Sequence, residues 1–253
     1  MPDAFQRPEA TVRGAAPHGT SDPESASRAV REMFTSIAPR YDLLNHLLSA
    51  NVDKLWWRRT ARAFQPILRR EGARVLDLCC GTGDMAFALR KQGQQARITG
   101  ADFSHAMLTR ALVKTSPVNP LTWIESDALH LPFADNSFDL VTSAFGFRNL
   151  ADYDAGLREI HRVLRKDGQC GILDFGQPRG IFGKFYNIYF KSVLPRVGKL
   201  ISGDTGAYAY LPASVQGFPS PDEMLERMSA VGFEGVSWTP YTFGIAGLFR
   251  GRK

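Results

Sequence analysis

A glycine-rich turn between a buried strand and a helix constrains this chain more than any other sequence feature. The turn is Gly81-Thr82-Gly83, and the four residues 75–78 before it are apolar or acidic. Residues 85–89 follow it with the spacing of apolar positions that is typical of a helix. Glycine has no Cβ, so the backbone can approach a ligand closely, and the N–H groups at the helix start favour polar or anionic groups. The pattern therefore predicts a nucleotide-binding site at the end of the first strand.

Three acidic residues discriminate between the nucleotide cofactors that fit this turn. Residues 81–86 also match the GxGxx(G/A) pattern of dinucleotide-binding proteins. However, Asp77 lies inside the strand and Asp84 stands where a pyrophosphate would approach, and a carboxylate repels pyrophosphate but pairs with a cationic amino group. Asp102 ends a second strand at the distance, roughly 20 residues, at which a carboxylate binds ribose hydroxyls. The sequence therefore favours S-adenosylmethionine (SAM), with an NAD-dependent oxidoreductase as the alternative from another class.

The composition excludes several classes of protein. The chain has 253 residues, of which 44% are hydrophobic and 22% charged, as in a soluble globular protein with one main domain. Its three cysteines and five histidines show no CxxC, HxxxH or HxH spacing, so we expect no disulfide, no metal and a reducing cytoplasm. The net charge of +6 is compatible with an anionic membrane surface, a nucleic acid or an acidic substrate. Because the basic residues are dispersed along the sequence, we expect no nucleic-acid partner.

The chain divides into a tail, a set of lid helices and a region of alternating strands and helices. Residues 1–27 are rich in Pro, Ala, Ser and Gly and are predicted to be a disordered tail. Residues 28–70 have helical periodicity and are predicted to be a lid in which Trp56 and Trp57 are packing residues. The later alternation predicts an α/β fold with a doubly wound, mostly parallel sheet. Its seven strands are predicted at residues 75–78, 97–101, 121–125, 138–145, 171–175, 234–238 and 242–249.

The alternation breaks at residues 178–219, where aromatic and aliphatic residues are unusually frequent and basic residues are interspersed. No uninterrupted run in this segment reaches the roughly 18 apolar residues that span a bilayer. The sequence leaves three interpretations open, namely an interfacial helix, an apolar lid inserted on the substrate side, or a helix packed against its own core.

Six motifs occur in order between residues 41 and 211: Tyr41-Asp42-Leu43-Leu44-Asn45, residues 76–84, Asp102-Phe103-Ser104, Leu131-Pro132-Phe133, residues 145–149, and Gly203-Asp204 with residues 208–211. Together they resemble the UbiE/MenG family, the quinone C-methyltransferases of ubiquinone and menaquinone biosynthesis. The resemblance implies a Rossmann-like class I methyltransferase domain over residues 28–253 with SAM as its cofactor. The Cys79-Cys80 pair is more similar to the menaquinone-pathway members. The implied reaction is C-methylation of demethylmenaquinol, the last step of menaquinone biosynthesis, with a ubiquinone precursor, or both substrates, as the alternative.

The glycine turn and the resemblance together assign the cofactor site. The cofactor-binding candidates are Asp77, Gly81, Thr82, Gly83, Asp102, Asp127, Ala128 and Ser143. By resemblance, Thr82 would contact SAM, Asp102 would hold the ribose, and Asp127 with Ala128 would flank the adenine. Some family members have a serine where this chain has Ala144. Ser143 is then the remaining hydroxyl at this strand end, although successive strand residues face opposite ways.

Methylation of a quinol ring depends on electron density at the accepting carbon. Ionisation of the adjacent hydroxyl, a phenol with a pKa of roughly 10, supplies that density. Arg148 follows the fourth strand and is the first catalytic candidate; since the pKa of arginine is above ~12, it would stabilise the phenolate or orient a water rather than act as the base. The remaining candidates are Tyr41 and Asn149 beside the hydroxyl, His46 as an alternative base, and Asp204 and Tyr208 on the substrate side.

The polyprenyl tail of such a substrate accounts for the apolar residues 178–219. Burial of each methylene group stabilises by about 0.8 kcal/mol, so an apolar channel would draw the tail partly out of a membrane. We therefore predict a cytoplasmic protein that attaches peripherally to the inner face of the cell membrane. A homodimer is left open.

Overall fold

A seven-stranded sheet organises this computed structural model, which describes residues 14–15, 17, 20, 22–42, 49, 51–178 and 206–253. The strands are β1 Arg74–Leu78, β2 Arg97–Asp102, β3 Thr122–Glu125, β4 Phe138–Ala144, β5 Leu164–Phe175, β6 Glu234–Tyr241 and β7 Ala246–Arg252. They lie in the order β3-β2-β1-β4-β5-β7-β6, and β7 alone runs antiparallel to its neighbours β5 and β6. The predicted doubly wound, mostly parallel α/β fold is confirmed.

Helices cover both faces of the sheet. They are α1 Pro23–Ile37, α2 Val52–Ala63, α3 Gln65–Leu68, α4 Asp84–Gln92, α5 His105–Lys114, α6 Tyr153–Val163, α7 Gly206–Gly217 and α8 Pro221–Val231. Leu76 and Leu78 of β1 belong to one apolar core and Val75 to the other, since successive strand residues point to opposite faces. A strand buried on both faces needs a nearly continuous apolar sequence, which is what the sequence of β1 shows. Within the described residues, no helix is long and apolar enough to cross a membrane.

Helix α1 begins earlier than the sequence interpretation placed it. Residues up to 27 were expected to be disordered, but the helix starts at Pro23. The side chain of Asp22 accepts the backbone N–H of Ser25 at 2.9 Å, and the Ser25 hydroxyl in turn accepts the Asp22 N–H. This capping box, with proline at the first helical position, is a start signal that the tail-like composition concealed.

Two strand boundaries also differ from the prediction. The fifth strand was predicted at residues 171–175, whereas α6 ends at Val163 and β5 already begins at Leu164. The pairing of β5 with β4 shifts register here, and Asp167 adopts a positive φ of 64°, so the turn-like residues form an irregularity within the strand. The last strand starts at Ala246 because residues 242–244 form a 3-10 turn. Most of the predicted insertion 178–219 lies outside the described residues.

Candidate cofactor and substrate site

A cavity of about 520 Å³ opens at the carboxyl ends of the parallel strands. It lies where the strand order reverses between β1 and β4, the usual ligand position in a doubly wound sheet. The glycine turn and the ends of β2 and β4 form one side. The N-terminal helical segment contributes the other side through Phe34, Tyr41, Trp56 and Trp57. Trp56 is buried against Phe145, so it packs as expected and lines the cavity as well.

The glycine turn has the backbone conformation that only glycine adopts without strain. Gly81 has φ +55° and Gly83 has φ +89°. A Cβ on Gly83 would lie 2.5 Å from the ring of Trp123, which is too close for any side chain. Gly81 lines the cavity, whereas Gly83 is not among its described lining residues. Gly83 therefore has a packing role, since it lets the turn lie against Trp123, and its contact with the cofactor stays a prediction.

Asp102 fixes the glycine turn from the neighbouring strand. Its Oδ2 accepts the N–H of Gly81 at 2.8 Å, and its Oδ1 accepts the N–H of Ser104 at 2.9 Å. Burial raises the pKa of Asp102 to about 6, although these backbone N–H groups oppose the shift. A carboxylate has about four acceptor positions, so it retains capacity for ribose hydroxyls while it holds the turn.

Asp77 presents an unsatisfied carboxylate oxygen in the same cavity. The Thr142 hydroxyl donates to its Oδ1 at 2.9 Å, while its buried Oδ2 forms no hydrogen bond with any described residue. Burial raises the pKa of Asp77 to about 7. A buried carboxylate oxygen without a partner costs free energy unless a ligand satisfies it, and the cationic amino group of SAM would do so. The residues of this cavity thus fit the predicted cofactor.

The affinity for SAM is expected to rise with pH between about 5.5 and 7.5, because the ionised form of Asp77 pairs with the cation and its free-state pKa is about 7. It should fall again above roughly pH 8, where the α-amino group of the ligand loses its proton. Isothermal titration calorimetry would measure this dependence. In Asp77→Asn the pH range over which the affinity for SAM rises should move towards pH 6, where Asp102 ionises. An unchanged profile in that variant would exclude Asp77 as the partner of the amino group.

The raised pKa of Asp77 also affects the pH dependence of stability in the protein without ligand. The folded-state pKa of Asp77 lies above its unfolded value of 3.8, so the native state binds the extra proton between these values. The contribution of Asp77 to stability is therefore largest below pH 4 and declines as pH rises towards 7. Urea denaturation of Asp77→Asn should show a shallower decline over that range than the parent protein.

A polar network connects the glycine turn to the segment after α1. The Thr82 hydroxyl donates to the Asp42 carboxylate, and Lys114 Nζ lies 3.0 Å from Asp42 Oδ2 and 3.1 Å from Asp84 Oδ1. The sequence predicts that Thr82 contacts SAM and that Asp84 pairs with the amino group of SAM. The structure instead gives Asp84 a lysine partner, so Asp77 is the better placed carboxylate. Thr82 still lines the cavity while its hydroxyl holds Asp42.

Only some of the remaining cofactor-binding candidates line the cavity. Asp127 and Ala128 line the cavity. The Asp127 carboxylate accepts the N–H of Leu129 at 2.9 Å, which fixes the loop after β3. Ser143 is buried within β4 and is not among the described lining residues, whereas Ala144 is. Adjacent strand residues face opposite sides of the sheet, and the Ser143 hydroxyl is buried without a hydrogen bond to a described residue, so its assignment to the cofactor stays a prediction.

Arg148 is held in a buried ion pair. It is only 5% exposed, and its Nη1 lies 3.0 Å from Oδ1 of Asp174 at the end of β5. Asp174 Oδ2 also accepts the backbone N–H of Arg148 at 3.1 Å, and the guanidinium donates to the carbonyl of Phe145. Burial raises the pKa of Asp174, although Arg148 opposes this. Two of the five guanidinium N–H groups, both on Nη1, have described partners, while Nε is buried without a hydrogen bond to a described residue.

Two of the other substrate-side candidates lie at the same cavity. Tyr41 and Asn149 line it together with Arg148. The Tyr210 hydroxyl donates to Asn149 Oδ1 at 3.2 Å, and burial raises the pKa of Tyr210 to about 12. Tyr210 therefore stays protonated and orients the amide at neutral pH. Of the remaining candidates, Asp204 and His46 lie outside the described residues, as does the side chain of Tyr208, whose backbone belongs to α7.

Sequence reasoning missed several polar residues of this site. Asp174 is an acidic residue at the end of a predicted strand, as Asp102 is. The strand-end position that identified Asp102 therefore identifies Asp174 as well. Asp42 lies inside one of the recognised motifs. Lys114 had no sequence signal, because its partners Asp42 and Asp84 lie 72 and 30 residues away.

Residues 22–253 match the model of the ubiE/COQ5 methyltransferase family. This chain belongs to that family. It is 48% identical over 234 residues to demethylmenaquinone methyltransferase of Deinococcus radiodurans, covering 92% of this chain and 95% of the relative. It is 44% identical over 229 residues to ubiquinone/menaquinone biosynthesis C-methyltransferase UbiE of Geobacter sulfurreducens, covering 88% of each.

The fold of this ubiE/COQ5 family member also agrees with solved methyltransferase structures. A SAM-dependent methyltransferase from Thermotoga maritima superposes with a TM-score of 0.61 at 19% identity, covering 88% of this chain and 99% of the other. At that identity the similarity shows the fold alone. The family membership confirms the predicted SAM-dependent methyltransferase and sets aside the NAD-dependent oxidoreductase.

Proposed function

We propose that this enzyme methylates the ring carbon of demethylmenaquinol to give menaquinol, with SAM as the methyl donor. The observation that carries the proposal is a single cavity that joins Asp77 and Asp102 on the cofactor side to Arg148 and Asn149 on the other. The similarity to the Deinococcus radiodurans demethylmenaquinone methyltransferase over most of both chains supports the choice of quinol.

The cofactor-side residues bind and orient in this proposal. SAM supplies a methyl group that its sulfonium already activates. The glycine turn admits the backbone of the ligand close to Gly81, Asp102 accepts from the ribose, and Asp77 satisfies the amino group with its unpaired Oδ2. Because each of these carboxylates is buried, its interaction with a polar ligand is stronger than it would be in water.

Arg148 has the electrostatic role on the substrate side. A guanidinium next to the quinol hydroxyl favours the phenolate, which raises electron density on the neighbouring carbon. Asp174 fixes the side chain through Nη1 and leaves the remaining guanidinium N–H groups as donors for the phenolate oxygen or for a water beside it. In this step the S–CH₃ bond of the donor would break as the C–C bond to the ring carbon forms, which leaves S-adenosylhomocysteine. The hydroxyl and the ring carbon each lose one proton and the phenolate oxygen takes one back, so one proton in total is released to solvent.

The apolar wall of the cavity fits a quinol ring with a prenyl tail. Aromatic side chains from both halves of the chain line it: Phe34, Tyr41, Trp56, Trp57, Phe145 and Phe175. Since a polyprenylated substrate resides in the bilayer, we include peripheral association with the cytoplasmic membrane face in the proposal.

Methyl transfer from labelled SAM to a short-chain demethylmenaquinol tests the reaction, with the corresponding demethylated ubiquinone precursor assayed in parallel and both kept reduced. We expect turnover of the naphthoquinol. Turnover of the ubiquinone precursor alone would overturn the choice of substrate, and turnover of both would make the enzyme common to the two pathways. No methylation of either, with SAM bound normally, would contradict a quinol substrate.

A further inference from the structure

We propose that the exposed face of α2, together with the adjacent turn at Phe243, docks this enzyme onto a bilayer that contains anionic lipid. The docking surface, named here the α2 patch, comprises Lys54, Leu55, Arg58, Arg59, Arg62 and Phe243. The inference rests on the proposed function, because it defines where a membrane-resident quinol would meet the cavity. The membrane contact is thereby placed on described residues that lie outside the segment 178–219.

Helical spacing places the α2 residues of the patch on one face. Leu55, Arg58, Arg59 and Arg62 stand at positions i, i+3, i+4 and i+7, and all four are exposed. Leu55 is an apolar side chain with 48% of its surface in water. None of the basic residues in the patch forms an ion pair with a described carboxylate, so their charge is not neutralised locally.

A strained turn presents Phe243 beside this helix. Phe243 is 80% exposed, and Thr242, Phe243 and Gly244 have φ values of 45°, 57° and 87°. Left-handed backbone is uncommon for a β-branched or aromatic residue and costs free energy. The turn is tied to α2 because Trp56 Nε1 donates to the Thr242 hydroxyl at 2.8 Å. The Arg59 guanidinium also lies 4.3 Å from the ring centre of Tyr241, immediately before the turn.

The α2 patch is formed by two elements that also contribute to the cavity wall. Val52, Trp56 and Trp57 of α2 line the cavity, and so do Thr242 and Ile245 on either side of Phe243. The lining residues and the exposed residues therefore alternate along the same two elements. A bilayer that contacts the patch would therefore lie against two elements that also line the cavity, which brings a membrane-resident substrate close to the cavity wall.

The charge of the patch indicates which bilayer it fits. Residues 54–71 contain six basic residues, Lys54, Arg58, Arg59, Arg62, Arg69 and Arg70, and one acidic residue, Glu71. A cluster of this size on an amphipathic helix is typical of binding to anionic headgroups. Exposed Leu55 and Phe243 favour a membrane over a nucleic acid, since apolar side chains gain most from the acyl boundary. The basic residues are dispersed along the sequence as a whole, but α2 gathers four of them on its exposed side.

Flotation with lipid vesicles tests the proposal. The probes are vesicles of phosphatidylcholine alone and of phosphatidylcholine mixed with phosphatidylglycerol. We expect the parent protein to bind the mixed vesicles, and Lys54→Gln/Arg58→Gln/Arg62→Gln to bind them roughly 100-fold more weakly, since each cation near an anionic surface contributes roughly fivefold. Arg59 is retained because it packs on Tyr241. Phe243→Ser should weaken binding in a manner that salt does not alter.

The matched control is Arg97→Gln/Arg158→Gln/Lys166→Gln, which removes the same charge from exposed residues of β2, α6 and β5. It should bind like the parent protein. The proposal would be overturned by an equal loss of vesicle binding in this control, or by no loss in Lys54→Gln/Arg58→Gln/Arg62→Gln, named here the α2 variant. So would salt-sensitive RNA binding through the same three residues without vesicle binding.

Methylation of a short-chain quinol without vesicles separates this inference from the proposed function. The α2 variant should retain the parental rate there, because none of its three altered residues lines the cavity. A parent protein that binds mixed vesicles through the patch but methylates no quinol would contradict the proposed function and leave the docking surface supported.

Discussion

Asp174→Ala is expected to lower the free energy of unfolding by about 3–5 kcal/mol and to abolish methyl transfer. The substitution leaves the guanidinium of Arg148 buried at 5% exposure without its carboxylate partner. It also removes the acceptor of the Arg148 backbone N–H, which positions the turn Phe147–Asn149. Urea denaturation measures the first effect, and labelled SAM with a short-chain demethylmenaquinol measures the second.

The double variant Arg148→Met/Asp174→Asn separates stability from catalysis. Replacing both members of a buried ion pair is often close to neutral for stability, so most of the loss should be recovered. Methyl transfer should stay absent, because no guanidinium faces the quinol. Turnover at the parental rate in the double variant would exclude Arg148 from the reaction. A cost below about 1 kcal/mol for Asp174→Ala would mean that the pair is solvated in solution.

Asp102→Asn is expected to weaken SAM binding by about 10- to 150-fold, since hydrogen bonds to a charged group contribute about 1.5–3 kcal/mol. Asp102 accepts N–H groups from both Gly81 and Ser104. Asparagine has one side-chain oxygen, so its amide NH₂ would face one of these donors. The glycine turn then loses an anchor and the ribose loses an acceptor. Isothermal titration calorimetry measures the change.

Asp127→Asn is the matched control, because it makes the same chemical change at a half-exposed carboxylate of the same cavity. Its single backbone bond, from the N–H of Leu129, can be kept by the asparagine oxygen. We expect a loss of SAM affinity below about tenfold. Equal losses in the two variants would show that Asp102 contributes through charge alone and does not hold the turn.

Local patterns in the sequence predicted the part of the site that depends on a few neighbouring residues. The strand, glycine turn and helix around Gly81 follow from spacing and from glycine conformational freedom. Asp77 and Asp102 followed because acids at the ends of parallel strands lie at one edge of the sheet. The start of α1 was also encoded locally, in the capping box at Asp22, and was missed because composition was given more weight than the motif.

The remainder of the site depends on which strands are neighbours. Arg148 and Asp174 are 26 residues apart and meet because β4 pairs with β5. Lys114 reaches Asp42 only because the segment after α1 lies on α5. The assignment of Ser143 depends on topology for a related reason: the direction in which a strand residue points depends on register, which a one-residue difference reverses. Such contacts follow from topology, which no short stretch of sequence contains.

The wall made by the N-terminal helices has a consequence for how the enzyme is synthesised. Arg31 of α1 bonds Glu125, 94 residues later, and Trp56 bonds Thr242, 186 residues later. Contacts of such long range form late, because the intervening chain must be present and ordered first. The N-terminal helices therefore leave the ribosome long before the residues that they contact have been synthesised. Productive SAM binding should begin only when the β6–β7 hairpin has emerged, which makes the cofactor a reporter of a fully translated and folded chain.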